Sequence, residues 1–335
     1  MSEGQHRDKL SVAVIGVGHL GSLHAKMFAE IPSADFVGLY DINHERARGV
    51  AGEFKVQAFP SLDEVLQNAR AVSIATPTST HYAIAQQALD ANVHVFIEKP
   101  ITTTPAEAQA LIDLAEKRAV QIQVGHIERF NPALLALEKY HLHPMFVESH
   151  RLAQFNPRGS DVGVVLDLMI HDIDIIISLV KSPVEKIEAN GIAVVSDSID
   201  IANARIQFQS GCVANVTASR ISQRKMRKMR LFQRDAYISV DFSDGVAEVF
   251  RLVDENSVEP NTMMLGMIDQ GTRKRKIIYE QPEVKEINAL KYELEAFIHA
   301  VRDHGEPMVT AQDGKEALEV AHVIMGKISQ QKLPL

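Results

Sequence analysis

The run Leu10-Ser11-Val12-Ala13-Val14-Ile15-Gly16-Val17-Gly18-His19-Leu20-Gly21 sets an apolar, β-branched segment directly against a GxGxxG turn, and the residues that follow have helical spacing. Strand, glycine turn and helix in that order make a cradle for a pyrophosphate. Gly16 permits the tight turn, Gly18 lets the backbone approach the phosphates, and Gly21 lets the helix pack close to the strand. The helix N-terminus, where His19 and Leu20 sit, adds free N–H groups and a partial positive charge. A second β-rich run, 34–40, ends at Asp41, twenty residues beyond Gly21. A carboxylate there accepts the adenosine ribose hydroxyls and repels a 2′-phosphate, which selects NAD over NADP. The competing reading is that Asp41 only opens the turn before Asn43 and His44.

At 335 residues the chain exceeds one ordinary core, so two domains are expected. A hydrophobic content of 46% and a charged content of 23% are those of a soluble globular protein. No apolar run is long enough to span a bilayer, and the polar first nine residues lack the apolar core of a signal peptide. The single cysteine, Cys212, has no partner for an internal disulfide and lies in the alternation 211–216, so it reads as a small buried hydrophobe in preference to a nucleophile. These features point to the cytoplasm and away from membranes. No His–carboxylate cluster completes four ligands, so no metal is expected. A net charge of −8 argues against nucleic acid as a partner. The local exception, Arg224-Lys225-Met226-Arg227-Lys228-Met229-Arg230, reads as a charged sheet face or subunit contact, or as a reach to nucleotide phosphates in a neighbouring subunit.

Short β-branched runs at 11–15, 36–40, 71–75, 93–97 and 121–125 alternate with helical segments, the pattern of a doubly wound parallel sheet with crossover helices. The expected division is a cofactor-binding domain at 1–126 and a substrate-binding, oligomerising α/β domain at 127–335, with the last helices packing back on the first. In the second domain a helix is expected at 166–180, and alternation at 202–208, 213–219, 236–240 and 246–250 suggests an open, mostly antiparallel sheet. Helices at 288–304 and 313–330 close the chain. Residues 254–282 are charged and poorly periodic, a long excursion or an oligomer contact.

Ligands of such sheets bind beyond the carboxyl ends of the strands. The third strand runs into Ala75-Thr76-Pro77 and then His81, the fourth into Glu98-Lys99-Pro100, and the fifth into His126-Ile127-Glu128-Arg129-Phe130-Asn131-Pro132. Lys99 would project over the cleft beside the nicotinamide, and Pro100 disfavours a helical conformation there. Further on, Asp167 and His171 are spaced i and i+4 on one helix face, with Asp174 on the same side. Oxidation of an alcohol needs a base at the hydroxyl while hydride leaves to the nicotinamide. His171 has the intrinsic basicity for that proton, and Lys99 stabilises the developing alkoxide or takes the proton itself. Asp167 would orient the imidazole or bind sugar hydroxyls, with Asp174 in a supporting part at most. The bland alternative is the polar face of an ordinary amphipathic helix.

In this order and spacing the glycine loop, Ala75-Thr76-Pro77, Glu98-Lys99-Pro100, Asp167-x-x-x-His171-x-x-Asp174 and the helix around Glu293-Leu294-Glu295-Ala296-Phe297 resemble the Gfo/Idh/MocA family of NAD(P)-dependent sugar oxidoreductases. The resemblance implies an N-terminal Rossmann domain and a C-terminal α/β domain whose open sheet often forms an oligomer interface, hence a homodimer or homotetramer. It matches Lys99 to the lysine of the family's EKP motif and Asp167 and His171 to its second signature, and it adds Thr76, Pro77, His81 and Glu98 to the cofactor contacts. This chain departs from the family in reading Val164-Val165-Leu166 ahead of Asp167, and in carrying Met169 where a glycine is usual. Within the family, 125–132 and 218–222 look like members that oxidise the 3-hydroxyl of UDP-N-acetylglucosamine or its uronate before transamination, in amino-sugar synthesis of the lipopolysaccharide or lipid A type. A UDP-sugar calls for cations at its diphosphate, and Arg129, Arg151 and Arg158, with Asn131, are the candidate contacts. The alternatives are an NAD-dependent dehydrogenase of a free sugar or inositol, and a non-catalytic NAD-binding sensor.

Overall fold

The computed structural model describes residues 9–156, 162–258, 260–269 and 274–331. Its first elements are β1 (Leu10–Ile15), α1 (His19–Glu30), β2 (Ala34–Tyr40), α2 (His44–Phe54), β3 (Gln57–Ala58), α3 (Leu62–Asn68), β4 (Ala71–Ile74), α4 (Thr78–Asp90), β5 (His94–Glu98), α5 (Pro105–Arg118) and β6 (Ile122–Gly125). The six strands pair in parallel in the order β3-β2-β1-β4-β5-β6. The order reverses between β1 and β4, which opens a crevice beyond the strand ends where the glycine loop, Thr76 and the Glu98-Lys99 turn emerge. Helices cover both faces of the sheet, so its strands are apolar throughout: Val12, Val14, Val72, Ile74, Val95 and Ile97 are inaccessible. The two-residue β3 is too short to leave a period in the sequence.

The chain continues through a 3₁₀ turn (Ile127–Phe130), α6 (Pro132–Leu135), β7 (Phe146–Leu152), a π-helical turn (Val165–Met169), α7 (Ile170–Val180), β8 (Val184–Ile192), β9 (Ile201–Phe208), β10 (Val213–Ser219), β11 (Met226–Gln233), β12 (Ala236–Asp241), β13 (Val246–Asp254), β14 (Met263–Asp269), β15 (Lys274–Glu280), α8 (Ala289–Arg302) and α9 (Ala311–Ser329). Two compact units result: the chain up to Phe130 with Asn288–Leu318, and Asn131–Ile287 with the chain from Glu319 onward. The boundary lies past the expected 126/127 because Phe130 is fully buried, its ring 5.9 Å from that of Tyr292 on α8. The apolar stripe of α8 explains why that helix belongs to the first unit. Leu294, Phe297, Ile298 and Val301 enter the core formed by Val14, Phe28 and Phe96, with the rings of Phe96 and Phe297 5.8 Å apart.

The second unit is built on a nine-stranded sheet, β14-β15-β13-β12-β11-β7-β10-β9-β8, antiparallel throughout except for the parallel pair β7 and β10. Val147, Leu231, Ile238 and Val249 bury one face, and the alternate residues leave the other half-exposed. The stretch 254–282, expected to be aperiodic, contains β14 and β15 at one edge. Alternation fails there because Met263, Met264, Leu265 and Met267 are all more than half exposed, so β14 has no buried face to pattern. The basic run enters β11: Met229 is buried, while on the open face Lys228 pairs with Asp241 at 3.0 Å and Arg230 with Glu148 at 3.2 Å. Within the chain it forms a charged sheet face. Cys212 is 2% exposed, and burial pushes its thiol up to about 11.

Candidate active site

The three glycines of the first loop have different physical reasons. Gly16 has φ +84°, and a Cβ there would lie 2.6 Å from Thr76 Cγ2, so both its backbone and its contact with the β4 end demand glycine. At Gly21 a Cβ would fall 1.8 Å from the Gly16 carbonyl oxygen, which is the close helix–strand approach. At Gly18 a Cβ would meet nothing within 4 Å. The protein itself does not need glycine at that place; the space is open toward the end of α1, whose N-cap makes no side-chain hydrogen bond. Open space beside uncapped helix amides, with His19 and Leu20 exposed on the first turn, fits a pyrophosphate.

Asp41 is 6% exposed at the end of β2. Its Oδ2 accepts the Val17 amide and its Oδ1 the Asn43 amide, both at 2.8 Å, and Arg46 stands 3.7 Å away. The turn reading holds: the carboxylate orders the turn through the Asn43 amide and ties it to the glycine loop through the Val17 amide. Each oxygen retains a lone pair for a ribose hydroxyl.

Across the crevice, Lys99 is half-buried between two residues held from inside the unit. The Glu98 carboxylate lies 3.0 Å from Nε2 of His24, and its Oε2 accepts the Lys99 amide at 3.3 Å. Burial opposes the charge on Glu98, but the His24 imidazole, with the Lys99 charge and amide, outweighs it and holds the carboxyl below the usual glutamate range. The Lys99–Pro100 peptide is cis. His81 is 1% exposed, with Nδ1 2.9 Å from the Pro100 carbonyl oxygen and Nε2 2.9 Å from that of Thr76. Burial lowers its basicity below the ordinary histidine value. His81, expected at the cofactor, is instead turned into the protein between two rim turns, where its neutral ring carries one N–H and donates to one of the two carbonyls. Thr76 and Pro77 do line the rim, half-buried and exposed respectively.

In the second unit Asp167 lies on the π-helical turn and His171 on the first turn of α7; both are half-buried, while Asp174 is 1% exposed. The regular α-helix expected over 166–180 is thus broken at its start by a wider turn that changes the angle at which Asp167 projects; such turns are frequent at functional sites. Arg151 is not available to a substrate diphosphate. It is 3% exposed and grips Asp172 of α7 through Nε at 3.2 Å and Nη2 at 2.8 Å. Asn131 is likewise occupied: its Oδ1 caps α6 by accepting the Ala133 amide at 3.1 Å, and its Nδ2 donates to the Phe242 carbonyl at 3.2 Å. Arg129, in the first unit, is half-buried with Nη2 3.4 Å from Asp313. Arg158 lies outside the described residues.

A family model for an oxidoreductase family with an NAD-binding Rossmann fold matches residues 10–126, and one for the GFO/IDH/MocA C-terminal domain matches 139–247. Over 93% of its length the chain is 37% identical to a UDP-N-acetylglucosamine 3-dehydrogenase of Acidithiobacillus ferrooxidans, 95% of which is covered. The chain belongs to the Gfo/Idh/MocA oxidoreductase family. A solved structure of UDP-N-acetylglucosamine 3-dehydrogenase GnnA from Acidithiobacillus ferrooxidans matches it with a TM-score of 0.85 at 36% identity, covering 96% of this chain and 98% of that one. A myo-inositol 2-dehydrogenase of Thermotoga maritima is 25% identical over 96% of this chain and 97% of that protein. This Gfo/Idh/MocA chain is therefore an NAD-binding oxidoreductase.

The Gfo/Idh/MocA motifs divide between the units: the glycine loop, Thr76-Pro77 and Glu98-Lys99-Pro100 in the first, Asp167 and His171 in the second. Sequence reasoning missed His24, Ser73 and Asp172. The available signal was a polar residue at an inward position: His24 three residues after Gly21 on the buried stripe of α1, and Ser73 within the buried strand β4.

Proposed function

We propose that this oxidoreductase oxidises the 3-hydroxyl of a UDP-N-acetylhexosamine to the 3-keto sugar, ahead of a step that replaces the ketone by an amine. The observation that carries the reading is 37% identity to a UDP-N-acetylglucosamine 3-dehydrogenase along nearly the whole of both chains. NAD supplies the hydride acceptor. Gly16, Gly18, His19, Leu20 and Gly21 hold its pyrophosphate, Asp41 its adenosine ribose, and Thr76, Pro77, Glu98 and Lys99 border the rest. His171 takes the hydroxyl proton, Lys99 stabilises the negative charge growing on the oxygen, and Asp167 orients the imidazole or binds a sugar hydroxyl. Arg129 and Arg158 remain as cations for the diphosphate.

A second reading, a free polyol or sugar as substrate, is favoured by the internal use of Arg151 and Asn131, and the Thermotoga maritima relative is a myo-inositol 2-dehydrogenase. Assembly as a homodimer or homotetramer through the open sheet face is supported by a row of half-exposed rings crossing five strands. Phe146, Phe232, Tyr237, Phe250 and Tyr279 stand with neighbouring centroids 5.0–5.9 Å apart. No helix among the described residues is long and apolar enough to cross a membrane, which accords with work in the cytoplasm.

The deciding experiment follows NADH absorbance with UDP-N-acetylglucosamine, its uronate, glucose and myo-inositol, adding a 2-oxo acid separately to reoxidise bound NADH. Reduction confined to a UDP-sugar supports the proposal; reduction with free sugars alone overturns it. Lys99→Ala and His171→Ala variants that bind NAD and keep full turnover overturn the catalytic assignments.

A further inference from the structure

We propose that His24, buried on α1, is a positioning residue for Lys99, acting through the Glu98 carboxylate that it holds against the backbone of the Glu98-Lys99-Pro100 turn. The proposal rests on the catalytic part assigned to Lys99 above.

His24 has no exposed surface and sits on the stripe of α1 that buries Ala25 and Phe28. A polar ring in such a place is costly unless its nitrogens are used. Its Nε2 faces the Glu98 carboxylate at 3.0 Å, and its Nδ1 lies 2.7 Å from the Ser73 hydroxyl on β4. An ionised carboxylate only accepts, so Nε2 carries the ring proton; in the neutral ring Nδ1 is then the acceptor, and Ser73 donates to it. With the ring neutral, Ser73 donates to His24 Nδ1, Nε2 faces Glu98 Oε1 at 3.0 Å as a polar contact outside hydrogen-bond alignment, and the Lys99 amide donates to Oε2 of Glu98.

The carboxylate has little freedom to move. Glu98 pairs with Gly125 in the sheet, and a Cβ at Gly125 would stand 2.9–3.1 Å from the carboxylate atoms. Imidazole, amide and glycine therefore enclose it on three sides. The ring of Phe96 fixes that of His24 in turn, edge to face at 5.5 Å. On the far side of Lys99, the buried His81 ring packs 2.9 Å from the Pro100 carbonyl, so the turn that carries the lysine is flanked by buried side chains at both neighbours. Because His24 belongs to the helix whose N-terminus forms the phosphate cradle, the anchor sets Lys99 relative to the place where the dinucleotide lies. Misplacing a reacting group by an ångström costs far more rate than binding.

The test compares the full-length His24→Leu, His24→Gln and Gly125→Ala variants with the parent in three measurements: thermal melting, NADH affinity by fluorescence titration, and steady-state NAD reduction with UDP-N-acetylglucosamine. His24→Leu should lower kcat about tenfold or more while the NADH dissociation constant and the sugar KM stay within about threefold. His24→Gln, which still offers an N–H to Glu98, should restore most of the rate, and Gly125→Ala should reproduce the loss by pressing on the carboxylate with His24 intact. A merely structural histidine would lower the melting temperature and leave kcat per folded molecule unchanged in all three variants, and that result overturns the proposal. A fourth measurement is independent of the sugar: the rate at which an amine-acylating reagent labels Lys99, read by mass spectrometry relative to Lys26 in the same digest. If the parent is silent with the sugar but this ratio shifts in His24→Leu and Gly125→Ala and returns in His24→Gln, the positioning role stands and the substrate reading fails. An unchanged ratio overturns the positioning role.

Discussion

Arg151 is the residue whose part changes most between sequence and structure, and its replacement gives a sharp prediction. Its guanidinium and the Asp172 carboxylate are only 3% and 2% exposed and make contacts of 2.8–3.2 Å, which fasten α7, the helix whose first turn carries His171, to the centre of the nine-stranded sheet. Arg151→Met keeps most of the volume and strands a buried carboxylate. Loss of one partner of such a pair costs about 3–5 kcal/mol, which for a unit of this size is a fall in melting temperature of roughly 6–20 °C. Asp172→Leu should also destabilise, by removing the carboxylate that the buried guanidinium grips. The double variant should lose less than the sum of the two, with a coupling of about 2 kcal/mol or more, since both members of the buried pair are then gone. Calorimetry or circular-dichroism melts of the four proteins measure the cycle, and steady-state kinetics on the folded variants complete it. If Arg151→Met melts with the parent but raises the KM for a UDP-sugar, Arg151 is a substrate contact and the reasoning from burial is refuted; strictly additive losses would refute the pair itself.

Gly21→Ala should abolish measurable NADH binding in a fluorescence titration, because its Cβ would fall 1.8 Å from the Gly16 carbonyl and force the loop and α1 apart; retention of parental affinity would contradict this. Asp200 has no exposed surface. Burial opposes its charge, yet the Ser196 hydroxyl and the amides of Ser196, Val195 and Val194 at 2.6–3.0 Å overcome this and hold the carboxyl far below the ordinary range. A carboxyl depressed in the folded state contributes stability that is complete above its unfolded value of about 3.9 and is lost as pH falls toward the folded one. Asp200→Asn should therefore be less stable than the parent in urea at neutral pH and lose less stability on acidification toward pH 3; equal losses in both proteins would contradict the assignment.

Local order carried the first unit from sequence to fold. The strand, the glycine turn and the alternation of strand and helix periods are short-range patterns, and five of the six parallel strands, the NAD cradle and the placing of Lys99 beyond the end of β5 could be read from them. The same holds for the alternating strands β9, β10, β12 and β13, whose faces differ in exposure. Where both faces of an element meet similar surroundings, no period is written, and β14 was invisible for that reason. The return of α8 to the first core was settled by which apolar surface its stripe met after more than a hundred and fifty intervening residues, a matter of long-range packing.

Side-chain roles divide along the same line. The sequence by itself shows that Arg129, Arg151, His24 and His81 are ionisable, and nothing local tells a group that faces a substrate from one that faces the protein. Tertiary structure decided that Arg151 belongs to Asp172, His81 to two carbonyls and His24 to Glu98, because only the fold brings β7 against α7, α4 against the turn after β5, and α1 against β4 and β5. A buried charge is tolerable only where a partner waits, and the partner's position is a property of the fold.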